Sequence, residues 1–157
     1  MNRHLFLRAA AGAALVLLAG CAGPKYAALA SSMPAVPAGQ GRIYFYQPEP
    51  ATVVSAQHVL RVNDVAVGRN KPSSFFFVDR PAGDYSVTMQ NSRNQSISFH
   101  LGAGETRYVR VMAENLGSTG QTGKVQMELA DPPELAQREL LDMRYWGAAS
   151  PEQRRWW

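Results

Sequence analysis

From Arg42 to Leu129 the dominant pattern is an alternation of apolar and polar residues with period two, the spacing of strands that bury one face. Tyr85, Val87 and Met89 alternate with Ser86 and Thr88, and Ile97, Phe99 and Leu101 alternate with Ser96, Ser98 and His100. Val125, Met127 and Leu129 alternate with Lys124, Gln126 and Glu128. Three further runs, Ile43 to Tyr46, Phe75 to Val78 and Tyr108 to Met112, are apolar on both faces, which suits central strands covered on both sides.

Turn chemistry separates these runs. Asn63-Asp64 stands between Val59–Val62 and Val65–Val67 as a tight hairpin, and Pro81-Ala82-Gly83 and Gly102-Ala103-Gly104 mark later junctions. Seven or eight short strands about ten residues apart predict an all-β fold, an antiparallel β-sandwich over residues 41–130. The tail, residues 131–157, reads differently. Asp131, Pro132 and Glu134 predict a helix start with Asp131 as N-cap. Ala136, Leu140 and Met143 share one helical face, and Gly147 is a stop. One helix packed on the sandwich is expected.

The N-terminus is of another kind. Arg3 and Arg8 precede a nearly pure Ala/Leu/Val run from Ala9 to Leu18, the order of a secretory signal peptide, here residues 1–20. The run is shorter than the ~18 or more apolar residues a spanning helix needs. It ends in Leu18-Ala19-Gly20-Cys21, which resembles the lipobox of bacterial lipoproteins. Small residues before the cysteine admit a peptidase, and the Cys21 thiol is the nucleophile that takes a diacylglycerol group. Cys21 is the only cysteine, so no disulfide can form within the chain. Two or three acyl chains suffice for stable anchoring, at about 0.8 kcal/mol per buried methylene. By resemblance to lipoprotein sorting, Ala22 after the cysteine implies the periplasmic face of the outer membrane. Residues 21–40 are rich in Ala, Ser, Pro and Gly and read as a lipidated tether, a coil holding the domain about 25 Å from the bilayer, with Tyr26 and Met33 able to dock locally.

Removal of residues 1–20 leaves 14 basic against 12 acidic side chains in 137 residues. That suits one domain with a modest core, and is too nearly balanced to argue for nucleic acid.

A family resemblance rests on motifs in a fixed order. They are Gly41-Arg42-Ile43-Tyr44-Phe45-Tyr46, Val62-Asn63 with Val67-Gly68, Phe75-Phe76-Phe77-Val78, Pro81-Ala82-Gly83-Asp84-Tyr85, and Ala103-Gly104-Glu105-Thr106 before Tyr108-Val109. Over residues 40 to 130 the chain resembles the bacterial lipoprotein family named domain of unknown function 2846. Its Pro-x-Gly-x-Tyr step is also similar to transthyretin-like and PEGA-type sandwiches of envelope proteins. The resemblance implies fold and place, and carries no catalytic residue with it.

No catalytic pattern emerges from the residues themselves. Gly117 to Lys124 lacks the first glycine of a phosphate-binding loop, has Val125 where Ser or Thr is needed, and leads into a strand. A Ser/His/Asp site would use His58 or His100, and His100 falls on the polar face of its strand. No ligand spacing for a metal is present, and Asp79 and Asp84 flank a turn where carboxylates usually cap amides. Two features remain as candidate contact surfaces. Tyr44, Tyr46 and Tyr108 with Arg42 and Arg110 form a patch suited to glycan or protein, unless the C-terminal helix covers it, which is the favoured expectation. Arg154, Arg155, Trp156 and Trp157 form a basic-aromatic end suited to lipid headgroups or a partner, or to capping the sandwich. The resulting expectation is a lipid-anchored, non-enzymatic module binding an envelope protein or peptidoglycan, with no cofactor beyond the lipid on Cys21. The alternative is an enzyme accessory or hydrolase built around His58 or His100.

Overall fold

The computed structural model describes residues 23–50, 54–90, 96–113, 121–122 and 125–147. Residues 1–20 (expected to be a signal peptide), Cys21, the glycine-rich loop at 117–120 and the Arg154–Trp157 cluster lie outside the described residues.

Two sheets pack face to face. The first contains β1 (Gln40–Gln47), β5 (Ser74–Pro81), β8 (Thr106–Ala113), β10 (Val125–Leu129) and β11 (Arg144–Tyr145), in the order β10-β8-β1-β5-β11. The second contains β3 (Val59–Val62), β4 (Val65–Arg69), β6 (Gly83–Met89) and β7 (Ser96–Leu101), in the order β4-β3-β6-β7. A small ribbon pairs β2 (Val54–Ser55) with β9 (Gln121–Thr122). The three runs that read as apolar on both faces are the three central strands of the first sheet, and the three alternating runs are β6, β7 and β10.

Local chemistry explains the junctions. Asn63 and Asp64 both take positive φ, 45° and 65°, as a two-residue hairpin between β3 and β4 requires. Gly104 has φ 76° in the turn into β8, where the Gly102 amide also donates to Glu105 Oε2 at 2.6 Å.

The sandwich is not wholly antiparallel, as the strand spacing had implied. β1 runs antiparallel to β5 but parallel to β8, and β11 runs parallel to β5. The reason is topological. β8 enters from β7 of the other sheet, so it reaches β1 by a crossover instead of a hairpin.

Period two divides the first sheet into two apolar faces. Ile43, Phe45, Phe76, Val78, Val109 and Val111 point inward and meet Leu60, Val62, Val67, Val87, Met89 and Leu101 from the second sheet. The opposite face carries Tyr44, Tyr46, Phe75 and Tyr108, and it is covered by a helical layer. That layer is α2 (Pro133–Leu140) with Met143 beyond it, and α1 (Tyr26–Leu29) with Met33. Ala136 and Leu140 are fully buried, as the helical spacing predicts, and Met143, past the end of the helix, is nearly so.

Three expectations about the ends change. The N-cap of α2 is Pro132, without a side-chain cap bond, so Asp131 does not cap it. The helix stops after Leu140, well before Gly147, because the chain turns at Met143 to add β11 to the sheet edge. Residues 23–40 are not a free coil from Gly23 onward. Tyr26, Leu29 and Met33 pack on the aromatic face, and the Tyr26 ring sits edge-on to Phe75 at 5.3 Å.

Candidate functional site

The aromatic residues singled out from the sequence do come together. Registry places Tyr44 beside Tyr108 on β8 and Phe77 on β5, and the two tyrosine rings stack 5.3 Å apart at 15°. They are not an open binding patch, however. Tyr44, Tyr46 and Tyr108 are 5%, 2% and 6% exposed, because α2 and the α1 segment lie over them. The helix cover favoured from the sequence is what the chain builds, and the N-terminal segment adds to it.

The two arginines are fasteners at that interface. Arg110 donates from Nε to Glu139 Oε2 at 3.0 Å and from Nη2 to Glu139 Oε1 at 2.6 Å, and reaches Glu128 at 3.2 Å. The Tyr46 hydroxyl donates to the same Glu139 Oε2 at 2.9 Å. Arg42 grips both oxygens of Asp79, at 2.7 and 2.9 Å, and donates to the Pro34 carbonyl at 2.9 Å. Its guanidinium lies 4.1 Å from the centre of the Phe77 ring. The Asp79 contact raises the Arg42 pKa against the opposing effect of burial. Burial pushes the phenols up as well, Tyr44 to about 12, with Tyr108 and Tyr46 raised and Glu139 adding to the rise at Tyr46. Asp79 therefore bonds a side chain, where a backbone cap was expected.

An open surface lies elsewhere, on the outward face of the second sheet. Strand alternation sends Asp84 and Ser86 of β6 and Ser98 and His100 of β7 to solvent, and the β6–β7 register sets Asp84 opposite His100 and Ser86 opposite Ser98. His100 Nδ1 lies 2.8 Å from Asp84 Oδ1. Asn63 joins from the hairpin, accepting from the Ser86 amide at 2.8 Å. With the edges of Tyr85 and Phe99 these residues line a shallow depression of about 500 Å³. It offers hydroxyls, an amide, a carboxylate and an imidazole on a rigid sheet, a set suited to hydrogen-bonding a polar polymer.

His58 is not part of it. Its backbone amide is held by Asn70 Oδ1 at 2.6 Å, beside Gln90, which follows the far end of β6. The six-residue span of β6 from Asp84 puts His58 roughly 20 Å from His100. The sequence showed which way His100 points but not its partner, since alternation leaves the cross-strand register open across the β6–β7 loop. Among the described residues no three His, Cys, Asp or Glu side chains converge as metal ligands, and no helix is long and apolar enough to cross a membrane.

Comparison with solved structures gives the N-terminal domain of AlgF from P. aeruginosa at 16% identity, covering 59% of this chain and 95% of that one, with a TM-score of 0.36. No curated protein sequence matches. The family described as "Protein of unknown function (DUF2846)" matches residues 37–124, from just before β1 to just before β10. With more than half its length matched, and the match running through both sheets of the sandwich, the chain belongs to the DUF2846 family.

Proposed function

We propose that this protein is a lipid-anchored lipoprotein of the bacterial envelope whose folded body is a non-enzymatic binding module for peptidoglycan, with the outward face of the second sheet as its contact surface. The anchor rests on Leu18-Ala19-Gly20-Cys21 after a signal-like run, and on the absence of any second cysteine to pair with Cys21. The binding surface rests on one observation, the depression lined by Asn63, Asp84, Ser86, Ser98 and His100. Its polar groups match the hydroxyls and amides of a glycan–peptide polymer, and it has few of the aromatic anchors typical of tight protein interfaces. Sedimentation of the purified protein with isolated sacculi tests this. Binding that falls about tenfold in Ser98→Arg, as expected for a bulky charge in the contact, supports it. Loss of cosedimentation in the unaltered protein, with a stoichiometric protein recovered from solubilised envelopes instead, replaces peptidoglycan with a protein partner.

A second reading, a hydrolase, draws on the Asp84–His100 hydrogen bond, which is the orienting half of a Ser/His/Asp arrangement, with Ser98 two residues away on the same face. Its test is turnover of peptidoglycan fragments abolished by His100→Ala and by Ser98→Ala.

A further inference from the structure

The chain is fixed to the body very close to Cys21. Arg144 Nη1 donates to the Gly23 carbonyl at 3.0 Å, the Tyr145 amide donates to the Pro24 carbonyl at 2.9 Å, and the Tyr26 amide donates to the Met143 carbonyl at 2.8 Å. Lys25 bridges to Arg144 through its backbone, and its Nζ lies 2.9 Å from Asp142. Gly23 sits so tightly on the Tyr145 backbone that a Cβ there would collide with its carbonyl. Two residues of fully extended chain reach only about 7 Å. A lipid on Cys21 would therefore hold this end of the body at the bilayer, in place of the ~25 Å coil that the composition of residues 21–40 implied.

The surface around Gly23 has the chemistry for that position. Lys71 Nζ lies 3.6 Å from the centre of the Trp146 ring, and Trp146 is 41% exposed, a large apolar side chain left at the surface. The Arg144 amide donates to Ser73 and the Trp146 amide to Phe75, so both residues are locked beside the β4–β5 loop. Lys71 lies on the Trp146 ring, Arg144 is two residues before it, and Lys25 is bridged to Arg144 through the backbone while its ammonium pairs with Asp142. A surface tryptophan with lysine on its ring and further lysine and arginine on the adjoining segments is the residue set enriched at membrane–water interfaces, and the cations suit anionic headgroups.

Resting on the lipid-anchor reading above, we infer that the corner of the body formed by β11 and the start of β5, with Lys25, Lys71, Arg144 and Trp146, rests on lipid headgroups and fixes the orientation of the body. Strand β5 begins beside Lys71 and ends at Pro81, next to Gly83 and Asp84, so the depression at Asp84 and His100 lies toward the opposite end of the sandwich, roughly 25 Å along the strand. The anchor surface and the depression thus lie at opposite ends of the sandwich.

Trp146 is the reporter. Of the three tryptophans, Trp156→Phe and Trp157→Phe leave Trp146 alone in the otherwise full-length protein. This protein is purified and reconstituted in vesicles of phosphatidylethanolamine and phosphatidylglycerol brominated high on their acyl chains. Mass spectrometry of Cys21 first decides the anchor reading by itself. If the thiol is free, it is coupled to a maleimide-bearing lipid in the same vesicles, so that the geometry is tested either way. The expected result is a fall in Trp146 emission to roughly half that in unbrominated vesicles, with most of it restored by Lys71→Glu or by a long Gly/Ser insertion between Ala22 and Gly23. Equal emission in brominated and unbrominated vesicles from an anchored protein overturns the inference.

Discussion

Arg110 and Glu139 meet as a two-pronged pair between the first sheet and α2, with nitrogen–oxygen distances of 3.0 and 2.6 Å. Both side chains are about four-fifths buried, so neither charge is well solvated without the other. An apolar pair would hold the helix equally well by area, but it would not fix its position along β8. The pair supplies that register, and Tyr46 adds a third hydrogen bond to Glu139 from the neighbouring strand. The aromatic face is thus sealed by a helix that is both packed and pinned.

Replacing Glu139 by Ala leaves the Arg110 guanidinium partly buried with Glu128 as its remaining carboxylate and the Met112 sulfur beside it. A loss of about 2–3 kcal/mol in urea unfolding is expected, since removing one partner costs more than the pair contributes. Arg110→Met combined with Glu139→Leu should recover most of it. A double variant as unstable as Glu139→Ala would mean that the hydrogen bonds themselves, and not the stranded charge, carry the effect.

At the other end of the same face, Arg42 ties the N-terminal segment to the sheet through the Pro34 carbonyl while both Asp79 oxygens hold the guanidinium. Lysine cannot make this fork. Arg42→Lys should cost roughly 2 kcal/mol and open residues 24–37 first. Hydrogen exchange reads this directly, with the amides of Tyr26 and Ala30 losing protection before those of β1 and β5. Uniform loss across the sandwich would place Arg42 in the global core instead.

The strands were legible because period two and two-sided apolar runs report which faces are covered. Ile43–Tyr46, Phe75–Val78 and Tyr108–Met112 announced a middle layer, and only a cover over Tyr44, Tyr46 and Tyr108 makes sense of them. What the pattern does not encode is the neighbour. The parallel pairing of β1 with β8, the added β11, and the Asp84–His100 contact all depend on register across loops. The segment from Gly23 to Met33 misled for a different reason. Ala, Ser and Pro look like a linker, but three apolar side chains, Tyr26, Leu29 and Met33, are enough to dock it on a face that needs covering.

Alkaline pH should loosen this aromatic layer. Burial raises the phenol of Tyr44 to about 12, and those of Tyr46 and Tyr108 are raised too, so the folded state keeps protons that the unfolded chain releases near pH 10. A raised folded pKa gives stability that is complete below pH 10 and lost as pH climbs toward 12. The melting temperature should hold steady to about pH 9.5 and then fall. Tyr44→Phe should flatten part of that fall, and phenolate absorbance should show these rings ionising only as the protein unfolds. Ionisation of all tyrosines with the fold intact would place these rings in water.

Gly68 tests the contact between the sheets. A Cβ at that position would stand 2.5 to 2.9 Å from three atoms of the Phe76 ring. The ring cannot swing aside easily, since it stacks on Phe45 at 4.9 Å and 15°. Gly68→Ala should therefore destabilise by about 1–3 kcal/mol through overpacking, against the few tenths that the lost glycine freedom would return. Phe76→Leu in the same chain removes the obstructing ring edge, so the pair of changes should cost less than the sum of the two alone. Strict additivity of the two in urea unfolding would show that β4 moves away from β5 instead, and that the sheets are held less closely at this corner than the stacked rings imply.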